Sequence, residues 1–287
     1  MTSDPLRRAP GAADAARAEL APAALRALPG VEAFVTTLAD EARRISMSYF
    51  RRALAIDVKM DDSPVTVADR EVERCLRARI AARFPSHGLL GEEHGSERLD
   101  ADYLWVIDPL DGTRGFISGW PLWGTLVALL YRGEALLGLI DVPVLDERWL
   151  GVAARDSILW RHGERALCRT RECTRLRDAM LYTTSPDNLS PAERQVFDSV
   201  SAHAASRRFG GDCYSYGLLA AGHLDTVLEA GLQPYDYLAL VPVVDAAGGV
   251  ITDWTGQPLG PDSNGRVLAS ATPALHQEIL AFTRHLV

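Results

Sequence analysis

The sequence of 287 residues lacks the features that mark membrane proteins, disulfide-rich scaffolds and nucleic-acid-binding proteins. Its few cysteines are scattered and form no C-x-x-C pair, which predicts free thiols in a reducing compartment. The best apolar run is interrupted by Arg132 and Glu134, so no membrane span is predicted. Basic residues number 30 against 38 acidic ones, and this deficit disfavours a nucleic-acid partner.

The first 30 residues are expected to form a flexible extension. They are rich in Ala, Pro and Arg, lack strong periodicity and end at Pro29 and Gly30. Arg7 and Arg8 are not followed by an apolar stretch, which argues against a secretory or twin-arginine signal and favours the cytoplasm. With 47% hydrophobic and 24% charged residues, the remaining chain is predicted to fold as one globular domain over residues 31–287.

Hydrophobic periodicity predicts both helices and strands in this domain. Apolar residues at helical spacing predict helices at about 31–52 and 66–83. Consecutive strands, several of them antiparallel, are predicted at 103–107, 125–131, 135–142 and 148–153. Further helices are predicted at 191–202, 214–222, 237–247 and 273–285, with strands at 226–229 and 250–253. A layered α/β arrangement fits this pattern best.

The segment D-P-L-D-G-T, which begins at Asp108, combines two carboxylates with the end of an apolar strand. Pro109 is expected to end strand pairing, so that Asp108 and Asp111 can face one point. If a helix begins at Gly112 and Thr113, its backbone N–H groups would form an anion site beside metals held by the carboxylates. The alternative is that both aspartates only cap a turn and a helix start.

Three further acidic segments are candidates for the same site. Glu92 and Glu93 end an apolar run, where adjacent acids are costly unless a cation lies nearby; a solvated loop is the alternative. Asp236 stands just before a mostly apolar helix, where N-capping is an adequate explanation. Asp69 could orient a hydroxyl, although an acid in an early helical turn is also ordinary.

In chain order, S-P-V-T-V-A-D, G-E-E, D-P-L-D-G-T and the late aspartate resemble the motifs of inositol monophosphatase-like enzymes. The resemblance extends from about residue 31 to the C-terminus. It implies the five-layer α-β-α-β-α sandwich of the inositol monophosphatase and fructose-1,6-bisphosphatase type. It also implies hydrolysis of a small-molecule phosphate ester with two to three Mg2+ ions per active site, in an enzyme that is commonly a homodimer.

The same resemblance implies two sets of Mg2+ ligands, with one aspartate bridging them. The set for the first ion is Glu92, Asp108 and the backbone carbonyl of Leu110, and the set for the second is Asp108, Asp111 and Asp236. Such hard oxygen ligands suit Mg2+ better than zinc. Asp108 would be the bridging residue.

The resemblance also assigns catalytic and phosphate-binding roles. Asp69 and Thr113 would orient a metal-bound water that attacks phosphorus in line, with Glu92 counted among the catalytic residues. The amides of Gly112 and Thr113 would hold the phosphate oxygens. Glu93 could support the metal ligands, hold an outer metal through water, or be solvated.

Three stretches look closer to histidinol-phosphate phosphatases than to inositol phosphatases: residues 111–119 with 123–125, residues 211–219 and residues 233–242. In the last, Tyr235 stands where inositol phosphatases typically have Trp. L-histidinol phosphate carries an amine and an imidazole, so a specific pocket should add carboxylates beyond the metal ligands. Asp212 and Glu229 are the candidates, although Asp212 could also be an ordinary loop acid.

The predicted function is therefore a histidinol-phosphatase of histidine biosynthesis. One alternative is an inositol-1-phosphate phosphatase, or a related sugar or nucleotide phosphatase, of the same superfamily. Another is a non-catalytic Mg2+- or phosphate-binding regulatory protein, which the sequence disfavours because no metal or water-orienting position is replaced. Trp120 and Trp123 are expected near the site as exposed aromatics, for an interface or for the pocket, with core packing as the alternative.

Overall fold

The computed structural model describes residues 21–53, 56–58 and 64–284. The predicted flexible extension is corrected at its C-terminal end, because residues 21–26 are helical and form α1. Ala24, Leu25 and Leu28 recur at helical spacing and are buried in the same apolar cluster as α2 (Val31–Tyr49). Residues 1–20 lie outside the described residues. Within the described part of the chain, no helix combines the length and apolar character needed to cross a membrane.

An eight-stranded sheet forms one half of the fold, in the order β10-β9-β8-β7-β6-β5-β3-β4. Its strands are β3 (Gly88–Gly91), β4 (Gly95–Glu97), β5 (Tyr103–Asp111), β6 (Gly124–Tyr131), β7 (Glu134–Val142), β8 (Glu147–Val152), β9 (Ile158–Arg161) and β10 (Glu164–Leu167). β3 runs parallel to β5, and the other pairs are antiparallel. The four consecutive strands predicted from the sequence are confirmed as β5 to β8.

β5 continues through Pro109, where the sequence had predicted that the proline would end the pairing. The register with β6 shifts between Asp108 and Asp111, so Pro109 and Leu110 together stand opposite Thr125. A bulge of this kind tolerates proline, because the extra residue leaves the hydrogen-bond ladder, and it bends the strand. The hydroxyl of Thr125 donates a hydrogen bond to the carbonyl of Pro109 at 2.9 Å, which stabilises the bulge.

The second sheet has five strands in the order β12-β11-β13-β15-β14. They are β11 (Met180–Thr183), β12 (Ser206–Phe209), β13 (Thr226–Glu229), β14 (Val250–Thr252) and β15 (Val267–Ser270). The predicted strands at 226–229 and 250–253 are confirmed, and β11, β12 and β15 were not predicted. A separate antiparallel pair joins β1 (Ile56–Val58) to β2 (Pro64–Thr66), just before the helix that carries Asp69.

Helices cover and separate the two sheets. The remaining helices are α3 (Val67–Arg83), α4 (Thr113–Ser118), α5 (Pro191–His203), α6 (Cys213–Ala220), α7 (Pro234–Tyr237), α8 (Leu240–Ala246) and α9 (Pro273–Thr283). α2 and α3 pack on the outer face of the large sheet. α6, α7 and α8 lie in the apolar cluster between the sheets, while α5 and α9 cover the outer face of the small sheet. The predicted five-layer α-β-α-β-α sandwich is confirmed.

Candidate metal centre and substrate pocket

Three aspartates meet where the bulge of β5 approaches α7. Asp108, Asp111 and Asp236 each offer a carboxylate oxygen, and these oxygens all lie within 4.8 Å of one another. Asp108 is 1% exposed, and its Oδ1 accepts the N–H of Leu110 at 2.8 Å. The bulge therefore turns two carboxylates of one strand towards the same point. Three hard oxygen donors at this separation suit a divalent cation such as Mg2+.

Backbone amides orient the other two members of this group. The N–H of Cys213, at the start of α6, donates to Asp111 Oδ2 at 2.6 Å. The N–H of Gln233 donates to Asp236 Oδ2 at 2.7 Å in a capping box. Asp236 thus lies inside the one-turn helix α7, whereas the sequence placed it just before a helix starting at 237. Pro234, at the first position of α7, accounts for the earlier start.

The group is electrostatically strained without a cation. Burial raises the pKa of Asp111 to about 7, and the charge of Asp236 adds to the rise. Burial likewise raises the pKa of Asp236 to about 7, with smaller contributions from the charges of Glu92 and Glu229. The pKa of Asp108 is raised well above its usual value by burial and by its acidic neighbours. A bound cation would remove this cost, so the donor set fits Mg2+.

These shifts predict a pH-dependent stabilisation by Mg2+. In the metal-free protein the folded-state pKa of Asp111 and Asp236 is about 7, against roughly 3.9 in an unfolded chain. Between these values the folded state holds more protons, so this contribution to stability is lost as pH rises through 7. We expect the increase in Tm caused by Mg2+ over EDTA to be larger at pH 8 than at pH 6. Calorimetric unfolding at matched ionic strength measures it, and an equal increase at both pH values contradicts the assignment.

Asp69 and Thr113 face each other beside this group. Asp69 is buried at the start of α3, where its Oδ2 accepts the N–H and the hydroxyl of Thr66 at 2.9 and 2.6 Å. Its Oδ1 lies 3.4 Å from Thr113 Oγ1, which also lies 3.0 Å from the carbonyl oxygen of Leu110. Burial raises the pKa of Asp69. A hydroxyl between a carboxylate and a carbonyl is held in a fixed orientation.

Glu92 lies in the turn after β3, near the three aspartates. It is half-buried, and its negative charge contributes to the raised pKa of Asp69, Asp108 and Asp236. Its oxygens are not part of the three-aspartate group. Glu92 lines an outer cavity of about 640 Å³ together with Gly112 and Thr113. The structure thus places it beside the centre, at the edge that opens to solvent.

A second, inner cavity of about 360 Å³ adjoins the three aspartates. Asp212 lines both cavities, with its carboxylate against Gly112, where an added Cβ would lie 3.2 Å from Asp212 Oδ2. Its backbone has φ 45°, an unusual conformation for a residue other than glycine. Burial raises the pKa of Asp212 to about 8, and the charges of Asp111 and Glu229 add to the rise.

Glu229 lines the inner cavity but is engaged by the protein itself. It is 5% exposed, at the end of β13. One carboxylate oxygen accepts the N–H of Thr184 at 2.7 Å, and the other accepts the hydroxyl of Tyr216 at 2.8 Å. Glu229 therefore connects the loop after β11 to α6 by hydrogen bonds. Both of its carboxylate oxygens are engaged in this way, which distinguishes it from Asp212.

The two tryptophans expected at the site differ in their surroundings. Trp123 is fully buried and packs with Phe50 and Phe116, so the expectation that it is exposed was wrong. Trp120 is 46% exposed, lines the outer cavity and lies over Gly210, which leaves room for its ring. Only Trp120 is available to a ligand.

Glu73 and Tyr216 were missed in the sequence. Glu73 is fully buried and accepts the N–H groups of Glu93 and His94 at 2.7 and 3.1 Å. Its position four residues after Asp69, on the same face of α3, is a signal that could have indicated it. Tyr216 gives no such signal, because a tyrosine in an apolar helix is typical of a core.

Buried carboxylates grouped beside two polar cavities are typical of a metal-dependent enzyme that acts on a small molecule. The chain belongs to the inositol monophosphatase family, whose sequence model matches residues 29–286. It is thus a phosphatase of that superfamily. Enzymes of this family act on small phosphate esters and are in general dependent on Mg2+.

The chain is similar to named phosphatases and to solved structures of this family. The chloroplastic bifunctional phosphatase IMPL2 of Arabidopsis thaliana is 48% identical over 222 residues, which make up 77% of this chain but only 63% of that protein. The histidinol-phosphatase of Chlorobaculum parvum is 35% identical over 249 residues, 85% of this chain and 93% of that protein. The structure of an inositol monophosphatase from Zymomonas mobilis has a TM-score of 0.80 at 41% identity and covers 89% of this chain and 99% of that one.

Proposed function

We propose that the chain is a Mg2+-dependent phosphomonoesterase that hydrolyses L-histidinol phosphate to L-histidinol and phosphate, a step of histidine biosynthesis. The inner cavity supports this most strongly. Four carboxylates line it, those of Asp111, Asp212, Glu229 and Asp236, and the described residues around it include no Lys, Arg or His. A cavity of this charge favours an organic group that is cationic, as the amine of L-histidinol is, over a neutral polyol.

The four acids divide by what they already bind. Asp111 and Asp236 belong to the three-aspartate group, and both oxygens of Glu229 accept hydrogen bonds from the protein. The side chain of Asp212 has no hydrogen-bond partner among the described residues and borders both cavities. Asp212 is therefore the acid that we propose to bind the substrate ammonium. Glu229 is proposed to line the part of the inner cavity that holds the imidazole.

The metal ligands proposed from the sequence are retained. Asp108, Asp111 and Asp236 would hold one Mg2+, and Glu92, Asp108 and the carbonyl of Leu110 would hold another. When bound, the cations supply Lewis-acid chemistry, lowering the pKa of water and neutralising charge on the phosphate. The proposed ligands do not include Glu93, whose amide binds Glu73.

The residues beside the proposed metal centre are proposed to orient the attacking water and to bind the phosphate. Thr113 Oγ1 can donate to Asp69 Oδ1 and accept a hydrogen bond from the attacking water, which fixes the lone pair of the water towards phosphorus. Asp69 is suited to take up a proton, because burial raises its pKa. The amides of Gly112 and Thr113 border the outer cavity and would bind phosphate oxygens as charge develops there.

The test is phosphate release from a panel of esters with Mg2+ and with EDTA. The panel comprises L-histidinol phosphate, inositol 1-phosphate, fructose 1,6-bisphosphate and 3'-phosphoadenosine 5'-phosphate. We expect the highest kcat/KM for L-histidinol phosphate and no release in EDTA. Inositol 1-phosphate is the second candidate, since the Zymomonas mobilis structure is named as an inositol monophosphatase. A higher kcat/KM for any of the last three esters overturns the substrate assignment.

A further inference from the structure

Glu73 is a charged residue with no exposure to solvent, and the hydrogen bonds of its carboxylate with the described residues are made to the turn that carries Glu92 and to its own helix. Its Oε2 accepts the N–H of Glu93 at 2.7 Å, and its Oε1 accepts the N–H of His94 at 3.1 Å. Arg77, one turn further along α3, pairs with Oε1 at 3.2 Å. A buried carboxylate held by two amides and an arginine is fixed in one orientation.

Arg77 also contacts the end of this turn where β4 begins. Its guanidinium donates to the carbonyl of Gly95 at 3.0 Å and pairs with Glu97 at 3.2 Å. The ring of His94 contacts the carbonyl of Arg70 at 3.1 Å. One face of α3 therefore binds the turn between β3 and β4 at Glu93, His94 and Gly95.

The same helical face also carries Asp69. Asp69, Glu73 and Arg77 are spaced by four residues, so they lie one above another along α3. The first contacts Thr113, beside the aspartates of β5, and the second holds the turn of Glu92. One helix thus sets the separation between the turn at Glu93 and the start of α4 at Thr113, which are 20 residues apart in sequence.

We propose that Glu73 is a positioning residue, which acts through the backbone of Glu93 and His94 to place Glu92 at the metal centre. This inference rests on the proposed role of Glu92 as a Mg2+ ligand. Gly91 supports it, because a Cβ added there would lie 2.0 Å from Glu73 Oε1. The glycine before Glu92 is required so that the turn can approach the buried carboxylate.

The test compares Glu73→Gln with Asp225→Asn. Asp225 is a matched control, since it is also fully buried, accepts a backbone N–H (Met180, 2.8 Å) and pairs with an arginine (Arg171, 3.2 Å), but immediately precedes β13 of the small sheet. Mg2+ binding is measured by calorimetry without substrate, beside Tm in EDTA and the Mg2+ dependence of turnover. We expect Glu73→Gln to weaken Mg2+ binding about 10–100-fold, with turnover recovered at high Mg2+. Asp225→Asn should lower Tm and keep the wild-type Mg2+ affinity.

Gly91→Ala is the second variant, because it disturbs the same contact from the side of the turn. It should weaken Mg2+ binding in the same way, whereas Gly260→Ala, where an added Cβ has open space, should not. Unchanged Mg2+ affinity in both Glu73→Gln and Gly91→Ala overturns the positioning role. A loss of affinity in Asp225→Asn as large as in Glu73→Gln also overturns it. Wild-type protein that binds no Mg2+ would instead refute the proposed function itself.

Discussion

Replacing Asp108 by asparagine is expected to lower kcat/KM for the phosphate ester by at least about 10³-fold, or ~4 kcal/mol of transition-state stabilisation. Asp108 is the one side chain proposed to contact both ions, so its loss weakens both sites. Asparagine has nearly the same shape, and its Oδ1 can still accept the N–H of Leu110 that Asp108 now binds. The fold should therefore persist.

The stability of this variant separates a metal site from a structural role. Because Asp108 is buried among acids, removal of its charge should leave Tm in EDTA unchanged or higher, while the increase in Tm caused by Mg2+ is lost. Asp178→Asn is the control and should behave as wild type. Asp178 is exposed, in the helical turn that precedes β11, and lines neither cavity. An Asp108→Asn protein that retains activity would refute the bridging role.

Replacing Asp212 by asparagine is expected to change substrate preference by a large factor. If Asp212 binds the substrate ammonium, the preference for L-histidinol phosphate over the phosphate ester of an uncharged alcohol, such as glycerol 2-phosphate, should fall. We expect the ratio of the two kcat/KM values to decrease about 10²-fold, or ~3 kcal/mol. The loss should appear mainly in KM, because an ammonium remote from phosphorus contributes to binding in the ground state and in the transition state alike.

The ratio is the decisive quantity, since Asp212 also borders Gly112 and its replacement can alter phosphate binding for every ester. Asp187→Asn is a matched control, as Asp187 lines the outer cavity but not the inner one. That control should keep the wild-type ratio. If Asp212→Asn lowers kcat/KM equally for esters of cationic and of uncharged alcohols, Asp212 does not recognise the amine.

Much of the three-aspartate group could be predicted because its acids lie at the ends of apolar segments. Asp108 and Asp111 lie at the end of a buried strand, and Asp236 lies in the first turn of a helix, so chain order and hydrophobic pattern indicated that they lie at the ends of core elements. The bulge at Pro109 was not predictable, because a proline in a strand ordinarily indicates an end. That bulge is what turns both aspartates to one point.

Features that depend on distant contacts were not accessible from the sequence. The spacing of Glu73 from Asp69 indicates a shared face of α3, but its burial depends on the turn at Glu93, 20 residues further along the chain, and a Glu in a helix is ordinarily exposed to solvent. The helix over residues 21–26 is rich in alanine, so the helical spacing of Ala24, Leu25 and Leu28 is a weak signal, and the apolar side of the helix is defined by the cluster it joins. The different surroundings of Asp212 and Glu229 likewise follow from hydrogen bonds that no motif displays.

The central claim is that Asp108, Asp111 and Asp236 form the metal centre of a phosphatase. Anomalous diffraction from crystals soaked in Mn2+, which takes the same oxygen ligands as Mg2+, tests this most directly. We expect an anomalous peak bounded by these three carboxylates and a second peak beside Glu92. Well-ordered Mn2+-soaked crystals with no peak between the three aspartates would contradict the account.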